Sequence, residues 1–449
     1  MSRPETVAVR DALILILLVV GCAWTLRRPW IGAILWTVVS LGSPHIYFGY
    51  ASANWQVSMA IALCTVVGLL FSRAWSNPFR HKVVIVYAVL MAWMTAGLPF
   101  SFVPEYCYDL WDRTFKITLM LIISVALIDS RKKLEVFIWA NVISIGFYGV
   151  KGGVYSILSG GGSTVLGPGG FTAENNALAL AEIVVLPFLR YLQLQSPNKW
   201  VRWGLGVSLG LVAISALASQ SRGALLGLMA MVGYFWVKSR KKLTWGVLIG
   251  LGALLVLAFM PDEYWARMNT IKEYQADDSS QGRINSWWAA FNIANDNFTG
   301  GGFRTNISWV YERYAPNPRM LFVEHSIYFQ MLGEFGWVGL FLFLSLGVLT
   351  WRNAQKLINL GQQNPTLGWA SDLGAMVQVS MVGYGVTGAF LSLALFDLPY
   401  NVMAIAALGL WLANQQLQAE VAAPPTERLP SDPSTGLGPE GRNAGPAYR

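Results

Sequence analysis

The sequence predicts an all-α polytopic membrane protein with twelve or thirteen transmembrane helices and one large extramembrane loop. Three observations predict it: the composition, the spacing of the apolar runs, and the way charge alternates between them. Apolar residues fill 54% of the 449 positions, charged residues only 12%, and mean hydropathy is +0.45. So little polar surface cannot cover a chain of this length in water, and lipid must be the solvent for most of it. The 20 Trp and 17 Tyr fit that reading, because amphipathic rings favour the membrane interface.

Taken in order, apolar runs fall near 11–26, 30–48, 57–72, 83–99, 115–129, 134–150, 173–192, 203–219, 223–237, 243–260, 326–350, 375–395 and 399–415. The first is only long enough for a tilted or partial span of a hydrocarbon core about 30 Å thick. It does not read as a cleavable signal peptide, since no small-residue cleavage site precedes Arg27, Arg28 and Pro29. The runs divide the chain into N-terminal helices over 1–260, a large loop over 261–325, C-terminal helices over 326–419 and a tail over 420–449. The tail is rich in Pro, Gly and polar residues, has no hydrophobic period, and is expected to be disordered and cytoplasmic.

Basic residues mark every second connection: Arg73/Arg80/Lys82, Arg131/Lys132/Lys133, Arg190/Lys199/Arg202, Lys238/Arg240/Lys241/Lys242 and Arg352/Lys356. Those connections should be cytoplasmic. The alternate ones are poor in Lys and Arg, and 100–112 carries Glu105, Asp109 and Asp112 instead. They should face outward, into a periplasm if the host has two membranes. The Gly-rich 151–171, the tight Ser219–Arg222 link and the 261–325 loop would share that outer face. Net charge is +8, but the cations are dispersed among apolar runs, so topology accounts for them and nucleic acid is not expected as a partner. Cys22, Cys64 and Cys107 are widely spaced in sequence, with no C-x-x-C pair and no nearby His cluster, so neither a disulfide nor a zinc site is expected.

Candidate chemistry starts with Arg222 in ASQSRGALLG, a cation on the side where other short connections avoid positive charge. It serves an anion or it snorkels to the interface; both readings stay open. In the long loop, the segment from Gln281 to Trp288 starts a helix with Arg283 in its first turn and Trp287, Trp288 and Phe291 near one apolar side. A helix N-terminus and a guanidinium together suit a phosphate, whereas in a loop holding eight acids and six bases Arg283 also reads as a surface charge. His325, one of three histidines, follows Glu324 at the outer start of an apolar helix, where a neutral imidazole can accept a proton from a hydroxyl nucleophile or be purely structural.

Softer features surround these three. SGGGSTVLGPGG ends near Gly170 without the Gly-Lys-Ser/Thr of a P-loop, which favours a flexible entrance loop over nucleotide binding. Thr172, Glu174, Asn175, Asn176 and Glu182 place polar groups at the start of and inside an apolar helix, to bond sugars or to join helices. Asn175, Asn176 and Glu324 are therefore candidate glycan or acceptor contacts. Arg113 and Lys116, after Asp109 and Asp112, read as a salt-bridged interface pair.

The order SQSRGA, GRINSWWAA, GGGF at 300–303 and EHSIYFQMLGEFGWVG, on helices flanking one long outer loop, resembles the O-antigen ligase superfamily. RRPWIGAILWTVVSLGSPH and GPGGFTAENNALALAE look similar to the O-glycosylation ligases associated with exosortase systems. The resemblance spans most of 10–415, and departs where Ser326 follows the histidine, since many members carry Asn there. It implies a C-type glycosyltransferase-like fold in a bacterial inner membrane, with the active site on the periplasmic face. It also implies a metal-independent enzyme, without cofactor, that transfers a glycan from an undecaprenyl-diphosphate carrier to a protein, lipid or glycan acceptor. In such ligases two arginines engage the diphosphate and a histidine acts on the acceptor hydroxyl; by motif these fall on Arg222, Arg283 and His325. A repeat-unit polymerase of the same superfamily is the alternative, and a transporter or flippase a more distant one, which would show repeat symmetry and charges near the bilayer midplane.

Overall fold

The computed structural model describes residues 3–72, 75–161, 165–167, 169–238, 242–243, 246, 250 and 278–422. Most of the apolar run at 243–260, the loop segment 261–277 and tail residues 423–449 lie outside the described residues. Among the described residues there is no strand. The N-terminal helices are α1 (Arg3–Arg27), α2 (Pro29–Gly42), α3 (Pro44–Phe48), α4 (Val57–Phe71) and α5 (Lys82–Gly97). They continue with α6 (Pro104–Leu127), α7 (Arg131–Leu158), α8 (Asn175–Gln195), α9 (Lys199–Ala218) and α10 (Arg222–Lys238). Beyond them come α11 (Asp278–Asp296), α12 (Ser308–Tyr314), α13 (Ile327–Gln363), α14 (Gly368–Gly388) and α15 (Asp397–Ala422). Six described helices are long and apolar enough to cross a membrane by length and composition, and the chain is an all-α polytopic membrane protein.

Every predicted run with described residues contains a helix; that at 375–395 is helical only to Gly388, and several others outrun the apolar stretch for a physical reason. Hydropathy marks only the part of a helix that lipid covers, whereas the backbone stays helical into water while its hydrogen bonds continue. Thus α6 starts at Pro104, taking in the acidic residues read as loop; α13 runs on to Gln363; α15 reaches Ala422, inside the predicted tail. The run at 30–48 is instead two helices, broken at Ser43 (φ +42°). Pro44 explains the break, because its ring disfavours helical geometry in the residue before it.

The centre of the bundle is α8, 83% buried over its apolar window against 11% for α1, which leaves α1 to face lipid. Around α8 pack α7, α9, α10 and α14, with α13 and α15 closing the core. Backbones approach closely where side chains are absent: a Cβ on Gly153 would lie 2.1 Å from the Leu211 carbonyl oxygen, bringing α7 onto α9. Cys22 and Cys64, remote in sequence, are neighbours where α1 packs on α4, as free thiols.

The alternate connections gather at opposite ends of the bundle. At one end Asp11 accepts hydrogen bonds from the amides of Tyr50 (3.0 Å) and Ser52 (3.2 Å), and the Phe102 amide donates to the Gly301 carbonyl (3.0 Å). The Asn175 amide group donates to the Ser219 carbonyl (2.7 Å), and Gly223 lies against Phe390. At the other end the Arg80 guanidinium sits 4.4 Å over Trp411 and that of Arg131 sits 4.9 Å over Trp369. The cation-poor connections thus share one end and the cation-rich ones the other.

Candidate functional site

The candidate site is built at the cation-poor end from three turns that the fold brings together. The first is the Ser219–Arg222 link. The Ser221 hydroxyl accepts from the Ala224 amide (3.3 Å), an N-cap bond that starts α10 with Arg222 as its first residue. Gln220 adopts a left-handed backbone (φ +55°), so the chain reverses within one residue between α9 and α10. The bond from Asn175 to the Ser219 carbonyl then fastens this turn to the start of α8.

The second is α11, whose motif residues hold the segment that ends in the histidine. Asn285 donates to the carbonyls of Asn317 and Met320 (both 2.9 Å) and accepts from the Asn317 amide (2.8 Å). Ser286 donates to the Val323 carbonyl (3.3 Å), and the Trp287 indole to that of Glu324 (2.7 Å) while stacking on Phe329 at 4.9 Å. Gly282 has no side chain to obstruct Phe322, whose ring carbons would lie 2.5–2.7 Å from a Cβ there. Gly282, Asn285, Ser286 and Trp287 of GRINSWW therefore form a clamp on residues 317–324.

The third is the start of α13, which is two helices merged across Gly336 (φ +67°). A break of this kind frees carbonyls in the last turn of the first half. The glycines of GGGF take them: Gly301 donates to Gly333 (2.8 Å) and Gly302 to Glu334 (2.9 Å), while the Trp93 indole donates to Phe335 (2.9 Å). Close approach demands glycine here, since a Cβ on Gly300 would fall 2.5 Å from the Glu334 carbonyl oxygen. This motif was recognisable in the sequence, but its function as a cap on a broken helix was not.

His325 sits between these supports, half-buried, in left-handed backbone (φ +44°) two residues before α13. Burial, and then the Arg283 guanidinium, push its imidazole below the ordinary histidine range, while Glu174 pulls it partly back. Arg283 and Glu174 are thus within electrostatic reach of His325, and the Asn175–Ser219 bond brings the Arg222 turn to Glu174's neighbour. The fold unites Arg222, Arg283, His325 and Asn175 at one end, with Asn176 half-buried at the start of α8. Glu174, an exposed carboxylate immediately before α8, acts electrostatically on the histidine.

Several expectations change. Arg283 is not in the first turn of its helix, because α11 is already helical at Asp278, five residues earlier, whereas Arg222 is the first residue of α10. Trp287 turns inward on Phe329, whereas Trp288 is exposed, so they do not share one apolar side. Glu324 is buried and accepts the Thr305 hydroxyl (2.6 Å), and burial holds its carboxyl above the usual carboxylate range. Glu182 joins helices, taking the Ser215 hydroxyl at 2.8 Å. Lys116 does pair with Asp112 (2.5 Å), but Arg113 turns away and lies over the Phe171 ring.

Chemically, two guanidinium groups beside a helix N-terminus can hold a phosphorylated group, and a neutral imidazole next to them can take a proton. Among the described residues no group of three His, Cys, Asp or Glu side chains is placed to hold a metal ion. Over residues 9–196 the chain matches a family of unknown function, DUF5935, and over residues 178–344 it matches the family described as O-Antigen ligase. No curated protein matches it. The ligase match contains Arg222, Arg283 and His325 and the three turns that bring them together, and it supports glycan transfer of the ligase or polymerase type. Over residues 178–344 this multi-pass membrane protein is thus similar to the O-antigen ligase family.

Proposed function

We propose that the chain transfers a glycan from an undecaprenyl-diphosphate carrier to an acceptor hydroxyl at the periplasmic face of a bacterial inner membrane, without a metal ion. The observation that carries this reading is the convergence of His325 with Arg283, and of the Arg222 turn with α8 beside Glu174, inside the ligase-matched region. Arg222 and Arg283 hold the diphosphate. The acceptor oxygen attacks the anomeric carbon as the bond from that carbon to the diphosphate oxygen breaks. The charge on the departing diphosphate falls on the two guanidinium groups, the proton of the acceptor hydroxyl goes to His325, and direct displacement inverts the anomeric centre. Asn175 and Asn176 are the candidate glycan contacts, while the inward bond of Glu324 to Thr305 suits it to holding the His325 backbone rather than to touching the acceptor.

The test is reconstitution with a defined lipid-linked oligosaccharide and candidate acceptors, reading product size and attachment. Delivery of an intact glycan to a protein or lipid supports a ligase; a ladder of repeat units makes the chain a polymerase; no transfer to any acceptor overturns the reading. In the same assay EDTA is expected to leave turnover unchanged, because arginines take the place of a carboxylate-held cation. Loss in EDTA that Mg²⁺ or Mn²⁺ restores would remove the metal-free mechanism.

Orientation is checked separately by single-cysteine labelling with an impermeant maleimide. Positions in 218–223 and 261–325 are expected to react from the periplasm, and those in 131–133 and 238–242 only after permeabilisation. Strong labelling at 239–241 with none in 270–320 would invert the scheme.

A further inference from the structure

We infer that Arg113 is a recognition point for a carboxylate on the glycan, distinct from the two arginines assigned to the diphosphate; this rests on the glycan-transfer reading. Arg113 is half-buried near the outer start of α6, with its guanidinium carbon 3.7 Å from the centroid of the Phe171 ring. Phe171 in turn packs on the buried Phe396 at 5.7 Å, so the stack faces into the protein and away from lipid. One edge of the guanidinium is left open by Gly170 (φ +61°), where a Cβ would lie 3.2 Å from Nη2.

Among the described residues this guanidinium has no hydrogen-bond acceptor. Among the described residues no carboxylate comes within ion-pair distance of Arg113: Asp112 is taken by Lys116, and the buried Asp397 accepts the Ser40 hydroxyl (2.5 Å), acting on Arg113 only by longer-range attraction. A guanidinium fixed by stacking on one face, with N–H groups in a planar fork, matches a planar carboxylate. A single cation with Asp397 nearby disfavours a dianionic phosphate, so a monoanion fits better.

The position fits a substrate glycan. Phe171 is three residues before Glu174, at most about 11 Å along an extended chain, and Glu174 is within electrostatic reach of His325. Arg113 also falls within 9–196 and before 178, so the family of unknown function, not the ligase match, covers it. The half of the chain outside the ligase match would then select the glycan that the other half transfers.

The test is binding to the purified full-length protein in lipid nanodiscs, by ligand-observed NMR, of a glucuronate-containing tetrasaccharide and its carboxyl-reduced counterpart. Wild type is expected to bind the acidic sugar about tenfold more tightly or better, since charge-assisted bonds carry the difference. Arg113→Gln should abolish that preference, and Arg113→Lys should retain only part of it. If Arg113→Gln does not accumulate, Phe171→Leu, which removes the stacking surface and keeps the charge, should weaken the same preference. Equal binding of both sugars by wild type, binding of neither, or a preference that survives Arg113→Gln would overturn the inference. Transfer is scored separately with a neutral donor: a wild-type chain that shows the preference but transfers nothing sinks the transfer reading and leaves Arg113 as a carboxylate site.

Discussion

Substituting His325 with asparagine is expected to lower glycan transfer by about 10²–10⁴-fold, the usual contribution of a positioned general base, while the protein still inserts and accumulates. Asparagine is the informative replacement because His325 has φ +44°, a left-handed conformation that Asn tolerates and Ala adopts only with strain. An alanine variant would mix lost chemistry with a displaced backbone. Binding of the lipid-linked donor should survive either change, since the arginines hold the diphosphate. The pH profile gives a second readout. Burial and Arg283 disfavour the imidazolium, so the folded-state pKa lies below the ordinary 6.5 and the base stays neutral further into acid; the acidic limb should fall below that value. Glu174 favours the imidazolium, so Glu174→Gln should move the limb to still lower pH. Wild-type turnover in His325→Asn, or an upward move of the limb in Glu174→Gln, would leave the histidine a structural residue.

Arg222→Lys and Arg283→Lys are each expected to remain badly impaired in transfer. Charge-assisted bonds to phosphate contribute about 1.5–3 kcal/mol apiece, which corresponds to roughly 10- to 150-fold in rate per arginine. Lysine keeps the charge but lacks the planar, bidentate fork. Were Arg222 only snorkelling to the interface, lysine would replace it with little loss, because both stems reach the headgroup layer. Since both arginines act on one leaving group although 61 positions separate them, the double substitution should cost clearly less than the sum of the singles. Near-normal transfer by Arg222→Lys, or strict additivity in the double-mutant cycle, would count against a shared diphosphate site.

Much of the architecture was legible before any coordinates. Hydropathy located the long apolar helices, because lipid demands long apolar segments whose backbone bonds are satisfied internally, but not α12 (Ser308–Tyr314) inside the 261–325 loop. Charge alternation correctly grouped the connections into two ends, as Arg80 and Arg131 at one end and Asn175 and Gly301 at the other illustrate. The GRINSWW and GGGF motifs stood out as patterns, yet their work is to clamp residues 317–324 and to cap the break at Gly336, which only partners distant in sequence reveal. The same holds for Glu174 and Arg113: a carboxylate and a guanidinium look alike in a sequence whether they face a neighbour on the same helix or a group on another.

By itself, then, the sequence determined the class of this protein and the position of its long apolar helices, because both follow from local composition and spacing. Tertiary structure alone decided that Arg222, not Arg283, lies in the first turn of its helix, that Glu324 turns inward to Thr305, and that Arg283 and Glu174 act electrostatically on His325. These depend on which helix ends meet across the bundle, and that is settled by packing between segments far apart in the chain, which no local pattern encodes.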